Sequence, residues 1–207
     1  MEAIKELYST VTFAAALRLS APLLLGVAGF CFSSASGILN IALESFMTFS
    51  AFFALLGSYL FSNCWIGALF GVVAGLVFSA LYGLFNFEFG ANGLITGVGF
   101  NSSAWRLTTL LLVAIFHTRG ATNVGAQAFT PLELPALNAV PILGEILNKQ
   151  TVLVYIAPLC AVIAWIVMYR TPFGLRVRTV GQNPTAAETA GISVKKYQWI
   201  CMLISGI

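Results

Sequence analysis

The sequence predicts an all-α membrane protein, a bundle of about five hydrophobic helices with the start of a sixth. Hydrophobic residues make up 59% of the 207 residues and charged residues only 8%, and the mean hydropathy is +0.93. A soluble domain carries about a quarter of its residues as charges. With so little charge, the main solvent of this chain is expected to be a lipid bilayer.

The hydrophobic residues fall into stretches separated by short polar breaks. A spanning helix needs about 20 mostly apolar residues. Stretches of this kind cover residues 11–32, 38–60, 64–85, 92–116 and 151–169, and a shorter one covers 197–207. A helix that ended inside the bilayer would leave its last carbonyl groups without partners, so the chain is expected to be a fragment or a truncated protein.

Lysine and arginine residues are concentrated after the fifth stretch. Residues 170–196 carry five of them, at positions 170, 176, 178, 195 and 196. The positive-inside rule therefore places this loop in the cytoplasm and residues 117–150 outside. Counting back through full spans puts the N-terminus outside, unless a break near Gly37 lies within the membrane and changes the parity. The net charge of +3 gives no reason to expect a nucleic-acid partner.

Groups suited to catalysis or metal binding are scattered along the sequence. The four cysteines are far apart in apolar runs, and His117 is the only histidine. The sequence has no P-loop, no nucleophile elbow and no dinucleotide fingerprint. We therefore expect this chain to be no enzyme, with no catalytic residue, metal or cofactor of its own.

The third stretch carries a small residue at every fourth position. These residues are Gly67, Gly71, Gly75, Ser79 and Gly83. They would form one ridge on a helix, and such ridges let helix backbones approach closely in lipid. The pattern predicts a tightly packed multi-helix bundle, either in a transporter core or as ordinary helix packing.

Glu44 is the one acidic residue well inside a predicted span. A carboxylate in the bilayer costs several kcal/mol and must face protein, water or a substrate path. In a helix that starts near Ile38, Asn40 lies one turn before Glu44, and both project from the same side. The pair is expected either to line a translocation pathway or to form a structural hydrogen bond at the helix start.

The fourth stretch supplies further neutral polar groups. Asn92 and Asn101 are its amides, and hydroxyls accompany them. Such groups suit a neutral polar solute, which needs hydrogen bonds rather than a charge clamp. They also suit plain hydrogen bonding between helices.

The basic loop contains the signals of a short isolated helix. Asn183 is a suitable N-cap, Pro184 fits the first helical position, and Gly191 fits the residue after the C-cap. The helix between them would be about 10 Å long. A helix so short needs a surface to rest on, so the segment is either a docking element or a surface turn.

Four stretches resemble the permease subunits of ABC importers in the group that handles ribose, branched-chain amino acids and nucleosides. They are YRTPFGLRVRTVGQNPTAAETAGI (169–192), VPILG (140–144), SGILNIALE (36–44) and ANGLITGVGFN (91–101). The first looks especially like the nucleoside-type permeases. The resemblance covers nearly the whole chain from residue 17 onward. One departure is Ser45, which stands where the family commonly has glycine.

This resemblance implies a multi-pass subunit of an ATP-driven importer in the bacterial cytoplasmic membrane, with nucleosides as the solute. Related permeases for sugars or branched-chain amino acids, and a non-transporting remnant, are the alternatives. A cytoplasmic ABC ATPase would bind ATP and Mg²⁺, and a second permease and an extracytoplasmic solute-binding lipoprotein would complete the importer. The residues implied in ATPase coupling are Gly181, Asn183, Pro184, Ala186, Ala187, Glu188 and Gly191. Those implied in the translocation pathway are Asn40, Glu44, Asn92 and Asn101.

Overall fold

A computed structural model of the chain describes residues 10–117, 127, 129–132, 148 and 150–207, and the regular structure in these ranges is helical. In chain order the elements are α1 (Thr10–Ala35), α2 (Leu43–Phe61), α3 (Cys64–Gly83), a π-helical turn (Leu84–Glu88), α4 (Gly93–Phe116), α5 (Val152–Arg170), α6 (Pro172–Gln182), α7 (Pro184–Thr189) and α8 (Val194–Ser205). The prediction of an all-α polytopic bundle is confirmed.

Five helices in the described part of the chain are long and apolar enough to cross a membrane. They are α1, α2, α3 extended by the π-helical turn, α4 and α5, and they lie at the first five hydrophobic stretches. Much of their apolar surface is exposed, as expected of side chains that face lipid or partner helices. The chain is therefore a multi-pass membrane protein.

The chain divides into two compact units. The first comprises Met1–Val27 and Phe129–Ile163. Its core is an apolar cluster of Ala21 in α1 with Val154 and Ala157 in α5. Nearby, the Nε atom of Arg18 donates a hydrogen bond of 3.1 Å to Oε1 of Gln150. The charge within the first span therefore has a polar partner.

The second unit comprises Ala28–Ala128 and Ala164–Ile207, and aromatic rings fill its core. Tyr82 of α3 is fully buried, and its hydroxyl lies 3.0 Å from the Gly93 carbonyl oxygen and 3.2 Å from that of Leu39. It therefore ties α3 to the start of α4 and to the chain before α2. The rings packed around it are Phe46, Phe78 and Phe100.

The small-residue ridge of α3 faces α2 along its first half. A Cβ atom added to Gly67 would lie 2.7 Å from the carbonyl oxygen of Ala54. One added to Gly71 would lie 3.1 Å from the carbonyl oxygen of Ser50. The first separation is too short for a real side chain and the second is unusually tight, so glycine here allows the two helices to approach closely.

The second half of the ridge faces α8. A Cβ atom on Gly75 would lie 2.1 Å from the carbonyl oxygen of Gly206, just after α8, and one on Gly83 would lie 2.8 Å from the Trp199 ring. Gly206 is equally constrained, because its own Cβ would lie 2.2 Å from the hydroxyl of Ser79. The end of α8 is therefore pressed directly onto α3.

The predicted helix start near Ile38 is wrong, and so is the prediction that Asn40 and Glu44 share one helix face. Gly37 has a φ of +82°, residues 38–42 are not α-helical, and α2 begins at Leu43. Asn40 therefore precedes the helix, whereas Glu44 lies in its first turn. The physical reason is that side-chain and backbone groups from elsewhere bond to this stretch, as described below.

Helix α6, which lies in the basic loop, was not predicted from the sequence. Thr171 caps this helix, with its hydroxyl 3.3 Å from the Gly174 amide, and Pro172 occupies the first turn. This threonine-proline pair is a local start signal of the same kind as Asn183 and Pro184. The motif at residues 140–144 and most of the loop 117–150 lie outside the described residues.

We predict that Gly67→Val lowers the thermal stability of the purified protein in detergent. The added side chain must push α2 away from α3, and overpacking of this kind costs about 1–3 kcal/mol. Gly99→Val in α4 is the matched control, because a Cβ atom there meets no heavy atom within 4 Å. Melting curves followed by size-exclusion chromatography compare the two variants. Equal stability of the two would contradict the packing described here.

Candidate functional site

The basic loop forms a short exposed helix with a sharp corner before it. Asn183 forms the corner. Its backbone amide donates to the Thr179 carbonyl oxygen at 3.0 Å, and this bond ends α6. Its side-chain oxygen accepts a hydrogen bond of 3.0 Å from the Ala186 amide, which caps α7. With Pro184 in the first turn of α7, both start signals read from the sequence are present.

Gly191 ends α7 in the left-handed conformation, with a φ of +78°. Its amide donates to the carbonyl oxygen of Glu188 at 2.9 Å, and the Ile192 amide donates to that of Ala187 at 2.9 Å. This pair of bonds is the Schellman motif, which closes the helix and satisfies its last carbonyls. A six-residue helix is therefore held at both ends by its own caps.

Residues 183–191, called here the coupling surface, are almost entirely exposed. Ala187 is the exception, with none of its surface accessible, and it anchors α7 to the rest of the second unit. α7 lies beside α6 and α8. Pro184, Ala186 and Glu188 are exposed on the coupling surface, and most of their neighbours are small. A groove on another protein could therefore cover this helix.

The helices beneath the coupling surface are bonded to each other and to the π-helical turn. Arg176 of α6 donates to the Tyr197 hydroxyl of α8 at 3.0 Å, and this hydrogen bond raises the pKa of the arginine. Lys195 of α8 forms a 2.8 Å ion pair with Glu88. Since both side chains are about half exposed, water and salt screen the pair and it adds little stability. These contacts join α8 to α6 and to the π-helical turn.

Gly181, in the last turn of α6, meets the break between α1 and α2. A Cβ atom on Gly181 would lie 2.1 Å from the Ala35 carbonyl oxygen and 2.9 Å from the Gly37 amide nitrogen. The backbone on either side must therefore be free of side chains. The coupling surface begins two residues after this contact.

Asn40 is buried in the break itself. Its amide nitrogen donates to the Ser205 hydroxyl near the end of α8 at 3.0 Å, and only 3% of its surface is exposed. Its side-chain oxygen finds no donor among the described residues. Asn40 therefore faces the interior of the second unit and not an open path.

Asn101 of α4 caps α2 from the neighbouring helix. Its side-chain oxygen accepts from the Ser45 amide at 3.0 Å, and its amide nitrogen donates to the Ile41 carbonyl oxygen at 3.0 Å. The residue before the helix, Ala42, offers no side chain for this purpose. Buried Ser45 bonds through its hydroxyl to the Ala42 carbonyl oxygen at 2.5 Å. Asn101 thus satisfies backbone groups that the bilayer could not.

Glu44 lies next to this cap and is exposed. Its carboxylate makes no hydrogen bond or ion pair within the described part of the chain, although its backbone oxygen accepts from Thr48. Arg106 is also exposed, on α4 beyond Asn101. Two exposed charges in the spans require water or a polar partner, because lipid cannot solvate them. Asn101 bonds to the amide of Ser45, the residue that follows Glu44, and the pair of Glu44 and Asn101 is called here the polar strip.

Asn92 lies apart from this strip, at the start of α4. Its side-chain oxygen caps the helix through the Leu94 amide at 2.9 Å. Nine residues of helix separate it from Asn101, a rise of about 13 Å. It borders a cavity of about 430 Å³ that is lined by carboxamides, one aromatic ring and the break after α1: Gly37, Ile38, Leu39, Asn86, Phe87, Asn92, Gly93, Leu94 and Gln198.

Several residues that build this region carry no signal in the sequence. Ser205 and Gly206 bond to or press on residues more than a hundred positions earlier. The contact between Gly37 and Gly181 also joins distant parts of the chain. The sequence indicated a break near Gly37, and the family resemblance implied a role for Gly181, but neither signal indicates that the two residues meet.

Comparison with known proteins agrees with this architecture. The family model described as "Branched-chain amino acid transport system / permease component" matches residues 12–207. The nucleoside ABC transporter permease protein NupC of Lactococcus lactis subsp. cremoris is 36% identical over 195 residues, covering 91% of this chain and 61% of the relative. The guanosine ABC transporter permease protein NupQ of Bacillus subtilis is 34% identical over 200 residues, covering 93% and 62%.

The chain spans about three fifths of the length of these curated relatives. No solved structure matches it. The resemblance read from the sequence is confirmed at the level of the permease family.

We predict that Asn101→Leu destabilises the protein by about 2–4 kcal/mol, because it leaves two backbone groups at the start of α2 without partners. Asn63→Ala is the matched control: Asn63 caps α3 in the same way but is exposed, so water can replace it. Denaturation of both variants in detergent gives the comparison. A loss as small in Asn101→Leu as in Asn63→Ala would refute the role of Asn101 as a cap.

Proposed function

Because the chain belongs to the permease-component family of branched-chain amino acid transport systems, we propose that it is a membrane subunit of an ATP-driven nucleoside importer. In this proposal a separate cytoplasmic ATPase binds ATP and Mg²⁺. A second permease and an extracytoplasmic solute-binding lipoprotein complete the assembly in a bacterial cytoplasmic membrane.

The observation that carries the proposal is the coupling surface, residues 183–191. A six-residue helix capped at both ends, exposed on its outer side and anchored by one buried alanine is suited to docking into a groove. The helix follows the fifth span directly through α6, so a push on it reaches the membrane helices over a short distance. A surface turn of the same length needs neither the double capping nor the anchor.

Nucleosides as the solute are supported by the names of two relatives, which specify nucleoside and guanosine transport. The polar groups that the spans offer fit such solutes. Nucleosides are neutral and carry many donors and acceptors, and the spans supply carboxamides and hydroxyls. Sugars and branched-chain amino acids are the alternatives within the same family.

In the proposed mechanism, closure of the ATPase displaces the coupling surface, and the spans change from outward-open to inward-open. The polar strip of Glu44 and Asn101 lines the path between the two permease subunits. Water in this path solvates the exposed Glu44 and Arg106 side chains, which resolves the cost of placing them in the spans. The carboxamide-lined cavity lies on the side of the coupling surface, where the solute leaves.

Uptake by cells that express this chain with its partner subunits tests the proposal. We expect saturable uptake of labelled guanosine that unlabelled adenosine competes away and that ribose and leucine leave unchanged. Purification of the chain from the same membranes should recover an ATPase. Competition by ribose or leucine would reassign the solute, and repeated absence of an ATPase would contradict the importer.

We predict that Glu44→Gln keeps normal membrane levels but lowers uptake roughly tenfold, the effect of losing about 1.4 kcal/mol in the rate-limiting step. The carboxylate is exposed and has no partner in the described residues, so folding does not depend on it. Glu88→Gln is the control, since it also removes one carboxylate but breaks only the half-exposed ion pair with Lys195. Normal uptake by Glu44→Gln would exclude Glu44 from the pathway.

A further inference from the structure

Two glycines that are 144 positions apart in sequence meet where the coupling surface joins the membrane part of the second unit. A Cβ atom on Gly37 would lie 3.2 Å from the Cα atom of Gly181, and one on Gly181 would lie 2.9 Å from the Gly37 amide nitrogen. The atoms in contact belong to the two backbones. Because no flexible side chain lies between them, a displacement of one backbone moves the other directly.

The two glycines are required for different reasons. Gly181 is confined by space, because its Cβ would lie 2.1 Å from the carbonyl oxygen of Ala35, the last residue of α1. Gly37 is confined mainly by conformation, because its φ of +82° is strained for any residue with a side chain. A side chain at position 181 therefore disturbs the contact by steric overlap, and a side chain at position 37 disturbs it mainly through backbone strain.

Residues 36–42 lead from this contact to the polar strip. They are not α-helical. Hydrogen bonds that hold them in place include Ile38 to Ser33 through the backbone at 3.1 Å, Asn40 to Ser205 at 3.0 Å and Ile41 to Asn101 at 3.0 Å. The last residue of the segment directly precedes α2, and Glu44 lies in the first turn of that helix.

We propose that the Gly37–Gly181 contact carries the movement of the coupling surface into residues 36–42, and that this movement re-aims Glu44 against Asn101. This inference rests on the proposed importer function. According to this inference, residues 36–42 change conformation between the outward-open and inward-open states, and α2 does not move as a rigid body on its own. The left-handed Gly37 and the unpartnered oxygen of Asn40 fit such an element, because both allow a second arrangement of the segment.

A competing route runs through the chain itself, from α7 through Ile192 into α8 and its end at Ser205. In a second alternative, the whole second unit moves as one rigid body. Both leave the Gly37–Gly181 contact without a role in coupling beyond its contribution to stability. The two glycines therefore separate the proposal from these alternatives.

The test uses Gly181→Ala and Gly37→Ala in the assembled importer, each with a matched control. Gly99→Ala adds the same methyl group to a helix where nothing lies within 4 Å. Gly90→Ala adds it at another left-handed position, φ +63°, also with nothing within 4 Å. The controls therefore reproduce the change in helix propensity and the backbone strain, but they do not disturb the contact.

We expect both test variants to bind the ATPase and to hydrolyse ATP near the parent rate. The amount of solute taken up per ATP should fall roughly tenfold, which is within the usual range for coupling between two sites. Both controls should keep the parent ratio. Gly37→Ala causes the smaller steric overlap, since its Cβ needs a shift of only a few tenths of an ångström, and Gly90→Ala controls for its backbone strain. It therefore serves if Gly181→Ala fails to assemble.

Hydrogen exchange provides a readout that does not depend on transport. ATP binding should change the exchange rate of amides 36–42 in the parent importer and in both controls, and that change should be absent in the test variants. If the test variants match their controls in uptake per ATP and in exchange, the inference is wrong. If the parent importer itself shows no ATP-dependent uptake, the proposed function fails instead.

Discussion

Inside a bilayer, each backbone N–H and C=O group must find its partner within the protein, because lipid offers none. Residues 36–42 are the place where this constraint is hardest to meet, since they interrupt two apolar helices. Asn101 supplies both missing partners at the start of α2, and the fully buried Tyr82 reaches the Leu39 carbonyl oxygen. The other contacts of the second unit are arranged around this satisfied break.

Close approach of backbones follows from the same constraint. Glycines on α3 admit α2 on one half and the end of α8 on the other, and glycine at 181 admits the end of α1. The result is that the end of α6 meets the break after α1 backbone to backbone, while Phe32, Val177 and Cys201 join α1, α6 and α8 in one apolar cluster. The exposed helix α7 is attached to this framework, so only a short path of contacts separates it from the spans. A coupling element of a permease needs such a short path.

Much of this architecture could be predicted from local signals. The five spans follow from the lengths of the apolar stretches, the ridge of α3 from its four-residue period, and the ends of α7 from Asn183, Pro184 and Gly191. α6 could have been predicted too, from Thr171 and Pro172. The start of α2 could not, because its cap lies 56 positions away on α4. Nor could the Gly37–Gly181 contact, since nothing in either glycine's neighbourhood specifies its partner.

In the proposed importer, residues 183–191 face the cytoplasm and bind the ATPase there. A cysteine at Thr185, which is exposed on α7, tests it in a chain whose four native cysteines are replaced. A membrane-impermeant maleimide should label this cysteine in inside-out vesicles but not in intact cells, and the bound ATPase should protect it. Labelling from outside the cell, or labelling that the ATPase leaves unchanged, would contradict the account.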